Sequence, residues 1–282
     1  MKPFCFANQQ IIASSQAILH PLDIGLIRGY AIFDFFRTEG YQPFFLKDYL
    51  DRFIFSAENT GLPLEFSLED LKAIIFTLIE KNNLEQGGIR MVLTGGMSDN
   101  HFSPAKGNFF IFCEDLQMPS SDKYKAGVKL ISHEYVRPLA AIKTTNYSLS
   151  VCLSRSWKET GAEDVLYHHM GKVSESSRSN IFMVKDGEIS TPLNDILLGI
   201  TRKNVMAITG NVIERDILFS EILQADEVFM TSTTKRILPV TQIDRTPIGT
   251  GKPGEITRQL MKKFKDLELQ IKDTRPIDIK SH

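Results

Sequence analysis

Two side chains of this 282-residue sequence have types that can do chemistry and stand where a charged group is unusual. Lys143 follows the apolar residues of the segment AAIKTTNY, which predicts that it ends a buried strand. Burial disfavours an ammonium ion and lowers the lysine pKa from about 10.4, as an amine nucleophile requires. The other interpretation, a surface lysine just past a strand end, is the commoner one for this segment taken alone.

Glu175 lies in KVSESSRSNIF, among small polar residues that lead into the apolar run IFMV. A carboxylate at such a position would face the ring nitrogen of a heterocyclic cofactor and keep that nitrogen protonated. A solvated glutamate in a loop explains the same segment equally well. Neither residue is therefore decisive by itself.

Three separated segments offer groups that suit a phosphate. Thr201 in GITR begins a predicted helix, where free backbone N–H groups and the helix dipole favour an anion. Thr233 and Thr234 in TSTTK follow an apolar strand and supply hydroxyl groups in a tight turn. Arg52 lies on a predicted helix and would add a forked donor to the same anion. A helix cap, a polar turn and a surface arginine are the ordinary alternatives.

Arginines close to apolar segments are candidates for binding substrate carboxylates. They are Arg28, Arg37, Arg90 and Arg178. Arg90 is the most suggestive because it interrupts the strand-like run IRMVL, although a solvated face of a half-exposed strand would also accommodate it. The adjacent His168 and His169 would point to opposite faces of a strand, so no metal site is predicted.

Residue periodicity predicts the elements that position these side chains. Helices are predicted over 46–62, where Gly61 and Pro63 supply the stop, and over 67–83, where Ser67 and Asp70 form a capping box. Further helices are predicted over 199–209 and 254–267. The strand candidates include IRMVLTGG, NFFIFCEDL, VKLISHEYV, VLYHH, KVSESSRSNIFMVKDGEIST and DEVFMTST, and the Asp186-Gly187 pair predicts a hairpin.

Length and composition restrict the class of protein. The length suggests two domains, and the polar, turn-forming stretch 118–125 predicts a linker between a small N-terminal domain (1–117) and a large C-terminal domain (126–282). A net charge of −1 supplies no basic field for nucleic acid or an anionic membrane. Three isolated cysteines suit neither a disulfide framework nor a zinc site, and no apolar run is long enough to cross a bilayer. A cytoplasmic protein is expected.

These features, in this order, resemble the fold-type IV enzymes that depend on pyridoxal 5′-phosphate (PLP). That family holds the branched-chain amino acid aminotransferases, the D-amino acid aminotransferases and aminodeoxychorismate lyase. The resemblance runs from about Leu22 to Asp244. The matching stretches are RGYAIFDFFR, DYLDRFIFSAENTGL, IKTTNYSL, VSESSRSNIFMVKDGEISTP, LLGITR and FMTSTTKRILPVTQID.

The resemblance implies an α/β fold of the α+β two-domain kind, with a small N-terminal α/β domain and a larger, barrel-like C-terminal PLP-binding domain. Lys143 would form the Schiff base and move the substrate proton, and Glu175 would pair with the pyridine nitrogen. The remaining cofactor ligands would be Arg52, Tyr147, the backbone amide of Ile200, Thr201, Thr233 and Thr234. The family also implies homodimers in which the loop around Arg28 completes the neighbour's pocket.

The residue after Phe33 favours transamination. Lyases of this family resemble one another in a threonine pair at this place, whereas the aminotransferases carry an acidic residue, and this sequence has Asp34. Arg37 and Arg90 match arginines of the branched-chain enzymes and, with Phe33, are expected to bind substrate. Arg178, without a clear counterpart in the family motifs, is added to that group.

The expected configuration of the substrate, D or L, depends on the arginines. The D-amino acid enzymes hold the carboxylate with an Arg-Asn-His run, where this sequence has Asp99-Asn100-His101. Arg28, Arg90 and Arg178 would instead form a cationic pocket. The expected reaction moves an amino group between a D-amino acid and a 2-oxo acid such as 2-oxoglutarate or pyruvate. Branched-chain L-amino acid transamination is the first alternative, 4-amino-4-deoxychorismate lyase the second, and a binding protein without turnover the alternative outside enzymes.

Overall fold

A computed structural model describes residues 1–273, and the chain forms two compact units. Unit 1 comprises Met1–Gln117, Ile142–Asn146 and the end of the last helix from Leu269, and unit 2 comprises Met118–Ala141 and Tyr147–Glu268. The predicted linker 118–125 belongs to unit 2 and is mostly helical. It is held there because the Tyr124 hydroxyl donates to the Lys235 carbonyl. Residues 274–282 of the predicted C-terminal domain lie outside the described residues.

Unit 1 is built on an antiparallel sheet. Its elements are β1 (Phe4–Ala7), β2 (Gln10–Ala13), a short 3-10 helix (Ser14–Gln16), α1 (Ile24–Ile27), β3 (Ala31–Glu39), β4 (Gln42–Pro43), α2 (Leu46–Thr60), α3 (Leu68–Lys81), β5 (Gln86–Thr94) and β6 (Phe109–Glu114). The strand order is β2-β1-β6-β5-β3-β4. Because side chains alternate along a strand, β3 presents Phe33 and Phe35 on one face and Asp34 and Phe36 on the other.

The two helices predicted for the N-terminal part are confirmed. The helix α2 ends at Gly61, which adopts φ +64° in the left-handed region where a glycine is unstrained. The helix α3 begins with the predicted capping box, in which the side chains and backbones of Ser67 and Asp70 bond reciprocally. Buried residues of α2 pack on the sheet, with the Phe53 and Phe109 ring centroids 5.7 Å apart.

Unit 2 contains a second, larger sheet with helices around it. Its elements are α4 (Ser121–Ala126), β7 (Val128–Glu134), α5 (Ser148–Glu159), β8 (Asp164–His169), β9 (Lys172–Ser176), β10 (Asn180–Lys185), β11 (Glu188–Pro192), α6 (Ile200–Thr209), β12 (Ile213–Arg215), β13 (Ile217–Leu218), α7 (Phe219–Ile222), β14 (Glu227–Ser232), β15 (Arg236–Ile243), β16 (Thr246–Pro247) and α8 (Glu255–Asp273). The predicted helices at 199–209 and 254–267 correspond to α6 and α8.

Six strands of unit 2 close into a ring. The order β9-β8-β7-β15-β14-β10 returns to β9 through the pairing of Asn180 with Glu175. Aliphatic side chains such as Leu130, Leu166 and Leu238 are fully buried in one apolar cluster of this unit. The barrel-like arrangement expected for the C-terminal part is therefore confirmed, and ring closure brings Glu175 next to β10.

The strand prediction from Lys172 onward needs one correction. The segment KVSESSRSNIFMV is divided by a turn at 177–179 into the antiparallel strands β9 and β10, because successive small polar residues allow the chain to reverse. The predicted hairpin is confirmed: Asp186 and Gly187 both have positive φ between β10 and β11. Within residues 1–273 no helix is at once long and apolar enough to span a membrane.

Candidate active site

Lys143 lies beside the start of β3 in unit 1. The Phe33 amide donates to the Lys143 carbonyl and the Thr145 amide to the Ala31 carbonyl, each at 2.9 Å. These two hydrogen bonds flank an isolated antiparallel bridge between Ile32 and Thr144, and the Thr145 hydroxyl also donates to the Ala31 carbonyl. The prediction that Lys143 ends a buried strand is therefore wrong, since it occupies an extended loop and is half-buried. The backbone pairing with β3 nevertheless holds the lysine in place.

Phe33 brings Lys143 and Arg90 together. The Lys143 Nζ atom lies 4.5 Å from the centroid of the Phe33 ring, and the Arg90 guanidinium carbon lies 5.5 Å from the same centroid. Arg90 also contacts the Phe35 ring at 5.0 Å and forms an ion pair with Glu114. An amine and a guanidinium thus share one aromatic ring, an arrangement that cation–π attraction favours.

Asp34 and Arg52 form a buried ion pair on the opposite face of β3. Arg52 donates through Nε to Oδ2 at 2.9 Å and through Nη2 to Oδ1 at 2.7 Å. Asp34 is fully buried and the Arg52 side chain is one-tenth exposed. Asp34, the acidic residue that favours transamination over elimination, holds an arginine and faces away from Phe33. Its effect on a substrate would act through Arg52.

Glu175 occupies a buried position in unit 2, at the junction of β9 and β10. Its Oε1 atom accepts a hydrogen bond from Arg137 Nε at 2.9 Å, and its Oε2 atom accepts from the Leu197 amide at 2.9 Å. The side chains of Glu175 and Arg137 are 6% and 8% exposed. The alternative of a solvated loop glutamate is excluded by this burial. An arginine partner and a backbone donor both favour the ionised carboxylate.

Arg137 is a functional candidate that the sequence analysis missed. It lies just after β7 in VRPLAA, and its Nη2 group also donates to the Ala140 carbonyl. The signal available in the sequence was its place six residues before Lys143 and directly before a proline. That pattern is also typical of an ordinary surface turn, so only the fold shows that Arg137 contacts Glu175.

Uncapped backbone donors begin the helix α6. Its N-cap residue Gly199 makes no side-chain cap, and Ile200 and Thr201 are buried in its first turn. A Cβ atom on Gly199 would lie 2.1 Å from Asn180 Oδ1, so a larger residue here requires the buried Asn180 side chain to move. The first-turn amides and the Thr201 hydroxyl are donors of the kind that bind a phosphate.

Thr233 and Thr234 form the turn between β14 and β15, and the next residue anchors that turn. Lys235 is 4% exposed, and its Nζ atom donates to Asp164 Oδ2 at 2.8 Å and to Ser179 Oγ at 3.3 Å. Asp164 also accepts from the Ser177 hydroxyl. The threonine turn is thereby tied to the turn that follows Glu175 and β9.

The pKa of Asp164 reflects two opposing effects. Desolvation by complete burial acts to raise the pKa of this carboxyl. The charges of Lys235 and Arg178, with the hydrogen bonds from Lys235 and Ser177, outweigh burial and bring the pKa below its ordinary value. The Asp164 carboxyl is therefore ionised at neutral pH.

The remaining predicted residues are distributed over both units. In unit 1, Arg28 is exposed after α1, whereas Arg37 is buried with its guanidinium 4.9 Å from the Phe44 ring centroid. In unit 2, Arg178 is exposed in the turn between β9 and β10, and Tyr147 precedes α5 as its N-cap. Within the described part of the chain, no group of His, Cys, Asp or Glu side chains is placed to hold a metal ion.

Taken unit by unit, the donor groups suit the parts of a phosphorylated pyridine. A buried, arginine-paired carboxylate suits a protonated ring nitrogen, and the glycine-preceded N-terminus of α6 suits a phosphate. A half-buried lysine held by backbone pairing suits an amine nucleophile.

A family model described as amino-transferase class IV matches residues 31–243. The chain belongs to the class IV aminotransferases. A relative from Methanocaldococcus jannaschii, which carries the provisional name branched-chain-amino-acid aminotransferase, is 31% identical over 276 residues, or 93% of this chain and 95% of the relative. A D-alanine aminotransferase from Staphylococcus epidermidis is 30% identical over 273 residues, or 92% and 95% of the two chains.

Solved structures agree with this assignment. The T.th. branched-chain amino acid aminotransferase, solved with pyridoxamine 5′-phosphate, has a TM-score of 0.89 at 25% identity and covers 98% of this chain and 96% of its own. The Escherichia coli branched-chain enzyme has the same fold, with a TM-score of 0.89, 24% identity and 95% coverage of both chains. The predicted fold type, enzyme class and PLP dependence of this class IV aminotransferase are confirmed.

Proposed function

We propose that this class IV aminotransferase moves amino groups between a D-amino acid and a 2-oxo acid, with pyruvate or 2-oxoglutarate as acceptor. The observation that carries the proposal is the shared contact of Lys143 and Arg90 with Phe33. The Lys143 amine can exchange with a substrate amino group, and the Arg90 cation can hold a carboxylate. Both contact one ring, and an amino acid substrate requires both groups.

Each predicted residue has a definite task in this proposal. PLP, when bound, supplies an electron sink for the substrate α-carbon. Lys143 acts as the amine nucleophile and then carries a proton to and from that carbon. Glu175 holds the proton on the ring nitrogen, and Arg137 keeps Glu175 ionised. Phosphate binding is assigned to Arg52, the Ile200 amide, Thr201, Thr233 and Thr234, with Tyr147 near the ring oxygen.

Substrate contacts are assigned to Phe33 and Arg90, with Arg28, Arg37 and Arg178 as further carboxylate ligands. The similarity to D-alanine aminotransferases of Staphylococcus over nine-tenths of the chain supports the D-specific interpretation. Asn100 is not assigned as a carboxylate ligand, because its side-chain oxygen accepts hydrogen bonds from the Phe102 and Ser103 amides inside its own loop. The task of holding the α-carboxylate therefore falls to the arginines.

Branched-chain L-amino acid transamination is the second candidate. It is supported by the similarity to the Methanocaldococcus jannaschii relative and by the aromatic side chains of Phe33 and Phe35 beside Arg90. An aliphatic substrate would pack on such rings.

Half-reactions separate the two candidates. The holoenzyme is mixed in turn with D-Ala, D-Glu, L-Leu and L-Ile, and conversion of the cofactor is followed by its absorbance. Conversion by D-Ala or D-Glu at a rate at least tenfold above that of L-Leu is expected. Reaction with L-Leu and L-Ile alone would replace the D-specific proposal with the branched-chain one.

A homodimer is part of the proposal. Large apolar side chains are exposed in the segment before Arg28, where Ile18 is 83%, Leu22 46% and Leu26 61% exposed. Exposed apolar groups close in sequence are typical of surfaces that bind another protein. Light scattering on the holoenzyme is expected to give twice the chain mass, and Leu26→Glu is expected to shift it toward the monomer.

A further inference from the structure

Glu114, the last residue of β6, lies on the same face of the unit 1 sheet as Arg90. In the strand register Arg90 is opposite Phe112 and Gly88 is opposite Glu114, so the two charged side chains are diagonal neighbours. Gly88 leaves space for the Phe35 ring that Arg90 contacts, because a Cβ atom there would lie 2.3 Å from that ring. The pairing of Arg90 with Glu114 is therefore built into the sheet.

Two rings and one carboxylate fix the Arg90 guanidinium. Its central carbon lies 5.5 Å and 5.0 Å from the centroids of Phe33 and Phe35. Nε donates to Glu114 Oε1, and Nη2 approaches Glu114 Oε2 at 3.3 Å. Both side chains are about one-third exposed, at 36% for Arg90 and 31% for Glu114, so a solute can reach them.

The charge of Glu114 changes what Arg90 can attract. An isolated arginine would attract a dianion more strongly than a monoanion, whereas an arginine that is already paired presents almost no net charge. Its remaining N–H groups can still donate hydrogen bonds to one carboxylate. A second carboxylate on the same substrate would meet the negative charge of Glu114 nearby.

We infer that Glu114 is a specificity-determining residue, which acts through Arg90 to disfavour substrates with a second carboxylate. The inference rests on the proposed placement of Arg90 in the substrate pocket, and it predicts a bias toward 2-oxo acids with one carboxylate. Glu114 itself orients and neutralises Arg90 and takes no part in the chemical step.

The test compares 2-oxoglutarate with 2-oxopentanoate, which has the same five-carbon chain without the second carboxylate. The value of kcat/KM for 2-oxoglutarate is divided by that for 2-oxopentanoate, and this ratio is measured for the wild type, Glu114→Gln and Glu114→Asp. Because neither acceptor has a stereocentre, any donor that the wild type accepts can be used, D or L. A failure of the D-specific proposal therefore leaves this comparison intact.

Removing one charge about 4 Å from a bound carboxylate is expected to raise the ratio in Glu114→Gln about fivefold. The conservative Glu114→Asp variant is expected to stay near the wild-type ratio. Asp115→Asn is the matched control, since it removes the neighbouring negative charge, which pairs with Lys2 at 2.6 Å and is 77% exposed. The kcat/KM ratio of the Asp115→Asn variant is expected to equal that of the wild type.

Binding supplies a readout that needs no turnover. Calorimetric titration of the holoenzyme with glutarate and with pentanoate is expected to show the same relative gain for glutarate in Glu114→Gln. An unchanged or lower preference for the dicarboxylate in that variant would overturn the role of Glu114. An equal rise in Asp115→Asn would overturn it too, because the effect would then belong to overall charge.

Discussion

Arg137 donates from Nε to Oε1 of Glu175 over 2.9 Å, and both side chains are almost completely buried. The carboxylate is held on its other oxygen by the Leu197 amide. A buried charge is stable only with such partners, so Arg137 determines whether Glu175 stays ionised.

Arg137→Met is expected to lower the free energy of unfolding by about 3–5 kcal/mol, because it leaves Glu175 buried without its cation. Loss of that cation also raises the pKa of the Glu175 carboxyl. The acid limb of the kcat–pH profile is then expected to move to higher pH, and Arg137→Lys should restore part of that shift. Arg155→Met, at an exposed pair with Glu159, is the control. An acid limb that stays in place in Arg137→Met would contradict this role.

Lys143→Ala is expected to abolish amino transfer while the fold persists. Loss of proton transfer alone costs about 10²–10⁴-fold in rate, and loss of the amine adds to this. Stopped-flow half-reactions check the rate, and borohydride treatment followed by peptide mass spectrometry checks for cofactor attached at Lys143. Lys125→Ala, on the exposed side of α4, should behave like the wild type. Attachment to a different lysine would refute the assignment.

Gly199→Ala is expected to weaken cofactor binding, because the added Cβ would lie 2.1 Å from Asn180 Oδ1 and displace the start of α6. Overpacking of this kind costs about 1–3 kcal/mol, which corresponds to roughly a 5- to 150-fold rise in the Kd for PLP. Equilibrium titration of the apoenzyme with PLP measures it. Gly254→Ala meets Glu227 at 1.9 Å before α8 and serves as the control. Equal weakening in both variants would show a general loss of stability.

Acidic pH is expected to lower the free energy of unfolding, because it protonates the Asp164 carboxyl. Its folded-state pKa is lowered, so the ion pair with Lys235 contributes stability above the unfolded-state pKa of about 3.9. That contribution is lost as the pH falls below about 3.9 toward and through the lower folded-state pKa. The free energy of unfolding is measured with urea between about pH 2.5 and 7. It is expected to fall less at acid pH in the double variant Asp164→Leu/Lys235→Met than in the wild type. If the free energy of unfolding fell equally with pH in both proteins, Asp164 would not be a source of the acid sensitivity.

Local elements were predictable because their signals lie within a few residues. The capping box of Ser67 and Asp70, the stop at Gly61 and the hairpin at Asp186-Gly187 depend on local backbone preferences, and all three are confirmed. Lys143 and Glu175 were each ambiguous in their own segments. Only the order of several motifs along the chain pointed to one enzyme family.

The sequence by itself determined the enzyme class, the cofactor and the main helices. Tertiary structure decided which charges meet: Arg137 with Glu175, Lys235 with Asp164, Arg52 with Asp34 and Arg90 with Glu114. Partners such as Lys235 and Asp164 are 71 residues apart, and no local periodicity reports such a contact. Strand register and ring closure bring these groups together, and burial then makes each charge depend on its partner.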